Sequence, residues 1–440
     1  MSGLWGNMHV GVSQREGFGR VLKALRDSRR LTQEELAEAS GSSVRTIREM
    51  ERGRVRTPQR RTVVLLADAL GLADADRDGF LDLARAQRRP PPGPTAHPPL
   101  PAVPSELPAA VPELIGREPE LAALTRLAGG VTGGSATTAS VIVLHGPPGI
   151  GKGSLAVTAG HRTGVGFGDG QLFVDLRGTA PARPVDPAEA LAGLLRSLGL
   201  PEAAIPGPAE QRGRLFRTLT HERRLLIVLD DAEDEAQVRP LLPAGRHCLT
   251  LVTSRRPLTG LTGAVRVPLG LFAPDAARRL LASIAGPDRL AADPTGTDEL
   301  VELCGRLPLA IRVAGNRLAS RPGWPVAQLV AQLRDQGRRL TALATGDLDV
   351  RATFDVSYHR LGPTVAGVFR RASLLPGPDF DAALLATVTG TTAEVAAACA
   401  EELVDAGLLL AHGDRYGFHD LARVYARERL RAEEQGRASI

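Results

Sequence analysis

The stretch VIVLHGPPGIGKGSLAV, Val141 to Val157, decides how the rest of the chain is read. Val141 to Leu144 is a short apolar, β-branched run of the kind that forms a buried parallel strand. A glycine-rich turn follows, and then a segment with helical spacing. Within it Gly146, Gly151 and Lys152 satisfy GxxxxGK, with Gly149 between them. Glycines in such a turn let successive backbone N–H groups curl around a phosphate, and the lysine reaches the outer phosphates. At this composition about 0.02 chance matches are expected in the whole chain, so the match is specific.

Composition sharpens the lysine. The chain has 54 basic residues, of which only Lys23 and Lys152 are lysine. Where a positive charge alone was needed the sequence uses arginine, so Lys152 stands there for its compact ammonium, which fits a phosphate loop as a planar guanidinium does not. The next position, Gly153, departs from the motif, which places a Ser or Thr hydroxyl there for Mg²⁺; Ser154 comes one place too late.

At 440 residues the chain has room for about three domains. Its 43% hydrophobic and 23% charged content is that of a globular protein, and no run of 18 apolar residues or cleavable leader appears, so a cytoplasmic location without membrane contact is expected. Cys248, Cys304 and Cys399 are odd in number and far apart; buried thiols are expected.

Upstream, Phe18, Val21, Leu22 and Leu25 have helical spacing, Thr32 caps a helix from Gln33 to Ala39, a turn contains Gly41, and a third helix spans Ser43 to Arg52. A fourth follows a Thr57 cap, and a fifth opens at Asp74 or Asp78. Between Ser43 and Arg61 stand seven arginines against Glu49 and Glu51, a charge excess suited to phosphates. The stretch LTQEELAEASGSSVRTIREMERG, Leu31 to Gly53, resembles the repressor-like (XRE or Cro) helix-turn-helix family. That resemblance implies that Gln33 touches the phosphate backbone of double-stranded operator DNA while Ser43, Val44, Arg45, Arg48 and Glu49 face base edges; Arg54 and Arg56 would add phosphate contacts. A solvated arginine face on a protein-binding module is the plainer alternative.

Residues 88–112 hold ten prolines and read as a stiff, extended linker on which a helix-turn-helix domain (16–87) moves independently. After the phosphate loop, QLFVDL (Gln171–Leu176), LLIVLDD (Leu225–Asp231), CLTLVTSRR (Cys248–Arg256) and Val265–Leu269 alternate with helical patterns, which implies a parallel sheet covered on both faces. Asp230 ends an apolar strand where it would hold Mg²⁺, and Asp231 beside it would orient an attacking water; a strand-end turn is the alternative use of such a pair.

LIGREPEL, GPPGIGKGS, LLIVLDD, LVTSRR, CGRLPLA and YGFHD occur in the order found in the NB-ARC subgroup of the signal-transduction ATPases with numerous domains, which this chain resembles from about Glu113 to Leu430. The fold so implied is multidomain: an all-α helix-turn-helix, an α/β P-loop domain (113–272), a small helical domain (273–345), a winged helix (346–430) and a tail (431–440). The resemblance places Gly116 and Arg117 near the adenosine of ATP or ADP, has Arg255 sense the γ-phosphate, packs Pro308 on adenine and brings His419 to the β-phosphate of ADP. With Gly146, Gly149, Gly151, Lys152, Gly153 and Ser154 these make the expected nucleotide site, and Asp230, Asp231 and Arg255 its expected catalytic groups. Helix Ala393–Ala406 carries Glu394, Glu401, Glu402 and Asp405 and no arginine, so the winged helix reads as a lid rather than a DNA reader. The expected function is a nucleotide-gated transcriptional regulator, oligomeric on repeated sites, at most a slow ATPase because of Gly153, with a signalling protein or small effector as input. A DNA-independent, ATP-driven oligomerising adaptor and a degenerate ADP-locked module stay open.

Overall fold

The computed structural model describes residues 18–52, 60–86, 103–134, 138–179 and 183–434. Two compact units divide the chain, residues 1–100 and 101–440.

Among the described residues of the first unit five helices enclose one core: α1 (Phe18–Ser28), α2 (Gln33–Ser40), α3 (Val44–Glu51), α4 (Arg60–Ala69) and α5 (Asp74–Ala86). Thr32 and Glu35 form a reciprocal capping box at the start of α2, and Gly41 ends it in the left-handed region at φ 63°. Ser43 caps α3 by accepting from the Thr46 N–H. Ile47 and Met50 face inward against Phe18, Leu22 and Leu36. Helices α1 and α3 touch so closely that a Cβ on Gly19 would lie 2.1 Å from the Met50 carbonyl oxygen. The cap expected at Thr57 and the helix stop expected at Gly53 lie outside the described residues, as do Arg54 and Arg56.

The second unit opens with residues 103–113, then α6 (Glu118–Thr132), β1 (Ser140–His145), α7 (Lys152–Thr163), β2 (Gly170–Asp175), α8 (Pro187–Ser197), α9 (Ala209–Thr220), β3 (Leu225–Ala232), β4 (Leu249–Ser254) and β5 (Val265–Pro268). The five strands form one parallel sheet in the order β2-β3-β4-β1-β5. Their apolar runs are buried by helices on both faces, as continuous Val, Ile and Leu strands require. The β3–β4 register shifts between Leu229 and Ala232, so the sheet irregularity falls on Asp230 and Asp231.

The linker differs from its sequence reading at its C-terminal end. Instead of running free, the segment lies on the edge of β2. Ser105 bridges Gln171 in parallel, Gln171 N–H donates to the Pro104 carbonyl at 2.7 Å, and Glu106 N–H donates to the Gln171 carbonyl at 3.0 Å. Leu107 fills the space above Gly160 of α7, and His161 bonds the Pro108 carbonyl at 2.8 Å. Edge strands seek such a partner, and composition alone does not reveal which residues of a proline-rich tract supply it.

Helices α10 (Pro274–Ala285), α11 (Pro294–Leu303), α12 (Pro308–Ala319), α13 (Val326–Arg334) and α14 (Gln336–Ala342) pack next. Then come α15 (Val350–Tyr358), α16 (Pro363–Ala372), β6 (Asp379–Phe380), α17 (Ala382–Thr389), α18 (Ala393–Asp405), β7 (Leu410–His412), β8 (Arg415–Gly417) and α19 (Asp420–Glu434). Strands β6, β8 and β7 make the small antiparallel wing. Helix α19 mixes basic and acidic residues from Arg423 onward, yet it is packed against the rest of the unit. It buries Leu421, Ala422, Tyr425 and Ala426, and Glu433 accepts from Tyr358 and Arg370 at 3.0 Å. Among the described residues all three cysteines are free thiols and buried, and no single helix is long and apolar enough to cross a membrane.

Candidate functional site

The phosphate loop joins β1 to α7 at the carboxyl edge of the sheet, where ligands of open α/β folds sit. Three glycines make the bend possible. Gly146, Gly149 and Gly151 have φ of 149°, 75° and 92°, backbone regions closed to most side chains. A Cβ on Gly146 would also strike the Leu269 carbonyl oxygen at 2.5 Å. Gly151 caps α7 without a side-chain hydrogen bond, which leaves the first N–H groups of α7 to a ligand.

Lys152 folds back into this loop. Its Nζ donates to the Gly146 carbonyl at 2.8 Å and the Pro147 carbonyl at 3.0 Å. Burial, with Arg255 nearby, brings its pKa down to about 7, opposed by Asp231 and Asp230. Asp230 accepts from Thr253 Oγ1 at 2.5 Å, and burial raises its carboxyl above the usual range. Asp231 has φ 52°, uncommon for a non-glycine residue, and a local reason: both carboxylate oxygens accept from Thr179 Oγ1 at 2.8 Å, and one accepts the Thr179 N–H at 2.8 Å. Its own N–H donates to Thr253 Oγ1 at 2.9 Å. Thr253 therefore ties the Asp230 carboxylate and the Asp231 backbone to β4, and Thr179 bonds the carboxylate expected to orient water.

Gly153 faces Asp230. A Cβ there would lie 3.2 Å from each carboxylate oxygen. Ser154 lies one residue further, about 100° around the helix, and lines a different cavity. The side chains that would hold Mg²⁺ thus depart from the usual set: no hydroxyl at 153, one carboxylate bound to Thr253 and the other to Thr179. No group of three or more His, Cys, Asp or Glu suited to a metal exists among the described residues. These residues do not fit a resident Mg²⁺ site of the ordinary P-loop kind.

Beside the loop a cavity of about 240 Å³ is lined by Ile115, Arg117, Gly149, Ser154, Phe272 and Pro308, among others. Its apolar walls and its place next to the phosphate loop suit a flat base. Arg117 is buried and acts as a strut: its Nη2 donates to the Ile150 carbonyl at 3.1 Å and the Gly270 carbonyl at 2.6 Å, its Nη1 pairs Glu120 at 3.0 Å, and it stacks on Phe272. Gly116 lies against the same ring, where a Cβ would meet Phe272 at 3.1 Å and Ala276 at 2.9 Å.

Arg255 follows β4 at the sheet edge. Its guanidinium donates to Ser357 Oγ on α15, and burial lowers its pKa to about 10. Ser357 in turn donates to the Ala406 carbonyl at 2.8 Å. Two residues after α15, Arg360 donates to the Gly178 carbonyl and to Glu233 at 2.9 Å. Gly407, at φ 70°, lies on the phosphate loop, where a Cβ would come within 2.9 Å of Pro148 Cδ. His419 is buried: Nε2 donates to the Gly305 carbonyl at 2.9 Å and Nδ1 accepts the Leu421 N–H at 3.2 Å, the pattern of a neutral ring whose pKa burial lowers.

The structure therefore gathers Gly146, Gly149, Gly151, Lys152, Gly153, Asp230 and Asp231 at one point, and Gly116, Arg117, Ser154 and Pro308 around the adjoining cavity. Arg255 and His419 bond protein groups instead of reaching into that space. Sequence reading did not find Thr179, Thr253, Ser357, Arg360 or Gly407. A threonine in a loop and a glycine in a helix-to-strand turn carry no chemical signature of their own; only LVTSRR, which contains Thr253, pointed near one of them.

In the first unit, Arg45 and Ser43 are exposed, and Val44 is half-buried against the core. Gln33 donates to Glu51 at 2.7 Å and accepts from Arg48 at 3.2 Å; Glu51 also accepts from Arg26 at 2.6 Å. Glu49 sits between the core and the surface of α3.

Residues 18–80 match a family model described as a helix-turn-helix domain. Two relatives share the larger part of the chain: the regulatory protein AfsR of Streptomyces coelicolor, 45% identical over 301 residues, and AfsR of Streptomyces griseus, 42% identical over 315. This chain is AfsR-like and carries a helix-turn-helix domain. The matches cover 68% and 71% of this chain but only 30% and 32% of the AfsR proteins, so the chain spans about a third of the length of those relatives. Among solved structures, a signal-transduction ATPase with numerous domains and a tetratricopeptide repeat sensor from Pyrococcus horikoshii is similar over 73% of this chain and 43% of its own, at 20% identity and a TM-score of 0.30. A Walker-type ATPase of Pyrococcus abyssi is similar over 71% of this chain and 95% of its own, at 14% identity and a TM-score of 0.49.

Proposed function

We propose that the chain is a transcriptional regulator whose DNA-binding helices are governed by a nucleotide, ATP or ADP, held between the phosphate loop and the C-terminal winged helix. The observation that carries this reading is the contact set around Lys152. The loop with its three strained glycines, the free N-terminus of α7 and an adjoining apolar cavity supply places for phosphates and a base. The chain's own C-terminal residues meet that loop through Gly407, and Ser357 accepts from Arg255 at the sheet edge. A ligand that binds differently with these contacts made or broken is what could shift the equilibrium between the two.

In this reading Lys152 leaves its two carbonyls for the β-phosphate, the α7 N–H groups hold the phosphate oxygens, and Pro308 lies on the base. Gly116 and Arg117 act one step back: they fix the loop and Phe272 around that base. His419 acts through Gly305 in the closed arrangement, a positioning role. Hydrolysis is at most slow, because Thr253 and Thr179 bond the carboxylates that would hold Mg²⁺ and orient water, and residue 153 is glycine. Double-stranded DNA binds along α3, with Arg45 as the exposed base reader and Arg54 and Arg56 as phosphate contacts. Self-association on a repeated operator follows from the few bases that one such helix reads, and the resemblance to AfsR supports a regulatory role.

The test is direct. Purified full-length protein is denatured and its released nucleotide is identified by chromatography, then compared with Lys152→Ala. Stoichiometric ADP or ATP in the parent and none in the variant is the expected result. Retention by Lys152→Ala overturns the site. A nucleotide that never exchanges with labelled ADP would favour the second reading, a permanently filled structural element, to which the burial of the loop beneath Gly407 lends support.

A further inference from the structure

We propose that this site, if it binds nucleotide as read above, holds a nucleoside diphosphate without enlisting Mg²⁺. The geometry around residue 153 carries the argument. An ordinary phosphate loop places a hydroxyl directly after the lysine, and that oxygen is a direct ligand of the ion. Here the position is glycine, and a side chain would press on the carboxylate beside it. A Cβ on Gly153 would stand 3.2 Å from both carboxylate oxygens of Asp230, closer than a side chain sits comfortably beside a fixed neighbour.

Asp230 is fixed. Its Oδ1 accepts the Thr253 hydroxyl at 2.5 Å, and that same Thr253 oxygen accepts the Asp231 N–H at 2.9 Å, which orients the hydroxyl toward the carboxylate. Asp231 is directed elsewhere: its carboxylate accepts the Thr179 N–H and hydroxyl. Ser154 cannot either: it lines the base-side cavity with Gly149 and Pro308, away from Asp230. Mg²⁺ requires near-octahedral oxygen ligands at about 2.0–2.1 Å and gives up its water reluctantly. A site that offers one fixed carboxylate and no hydroxyl after the lysine gives the ion few protein ligands. The positive charge facing the phosphates comes instead from the protein, through Lys152 and the N-terminus of α7.

The experiment titrates the full-length protein, stripped of copurifying nucleotide, with a fluorescent ADP analogue in millimolar Mg²⁺ and again in excess EDTA. The expected dissociation constants differ by less than about threefold. A larger loss in EDTA that Lys152→Ala abolishes overturns the inference and leaves the nucleotide reading standing. No saturable, Lys152-dependent binding in either buffer overturns both. A second variant locates the cause: Gly153→Ser should introduce a dependence on Mg²⁺, seen as binding about fivefold or more weaker in EDTA than in Mg²⁺. A folded Gly153→Ser protein that stays indifferent to Mg²⁺ overturns residue 153 as the reason. If Gly153→Ser does not fold, the comparison on the parent protein decides alone.

Discussion

Lys152 is one of two lysines in a chain that otherwise uses arginine, and its surroundings give it a titration that no arginine would show. Burial holds its pKa at about 7 against a usual value of 10.5. In the nucleotide-free protein at pH 8 most of the population is therefore neutral. Phosphate favours the ammonium, so binding must take up a proton, and affinity for ADP should fall as pH rises above about 7, by up to about tenfold per unit. At pH 8 the phosphate's own ionisation, near pH 6, is complete and does not confuse the count. Titration calorimetry in buffers of different ionisation heat should show uptake approaching one proton; no uptake at pH 8 would sink the assignment. The sign for stability runs the other way. Between about pH 7 and 10.5 the unfolded chain binds the extra proton, so the Lys152 contribution makes the free protein more stable as pH rises through that window.

At the scale of elements, the turn after α18 is the sharpest test of closure over the loop. Gly407 combines φ 70° with contact to Pro147 and Pro148, whereas Gly413 has φ 65° and nothing within 4 Å of a would-be Cβ. Gly407→Ala and Gly413→Ala thus carry a similar backbone cost, about 1–2 kcal/mol, while only the first pushes on the phosphate loop. We expect Gly407→Ala to release bound ADP several-fold faster than Gly413→Ala in a stopped-flow chase; equal rates would make the turn a bystander. The same elements show what a sequence discloses. The strand–loop–helix around Lys152, the five parallel strands and the wing were legible, because β-branched runs, glycines at strained φ and helical periodicity each leave a pattern. Residues 104–108 on β2 and the packing of α19 were not. A proline-rich segment and a charged helix look solvated until a particular edge or groove accepts them. Arg255 and His419 were placed near phosphates by motif order, but motif order does not record that a serine hydroxyl and a glycine carbonyl are their partners in this arrangement.

On the scale of the whole molecule, the proposed output is DNA binding by the first unit, and its chemistry separates two kinds of arginine. Arg45 is exposed on α3. Arg48, on the same helix, spends part of its hydrogen-bonding capacity on Gln33, which is itself held by Glu51, and Glu51 is anchored by Arg26. That chain of bonds fixes the pitch of α3 against α2, so Gln33 and Arg48 act first as a brace. Arg45→Ala should therefore lower the preference for a selected operator over random DNA by about 1–3 kcal/mol with the salt dependence nearly kept. Arg54→Ala, a phosphate contact in this reading, should weaken both DNAs alike and reduce the salt slope by about one. Titrations of the full-length protein against both DNAs at three or more salt concentrations separate the two. If Arg45→Ala weakened selected and random DNA equally, α3 would be touching phosphates rather than bases, and the recognition surface would have to be sought on another helix of the same unit.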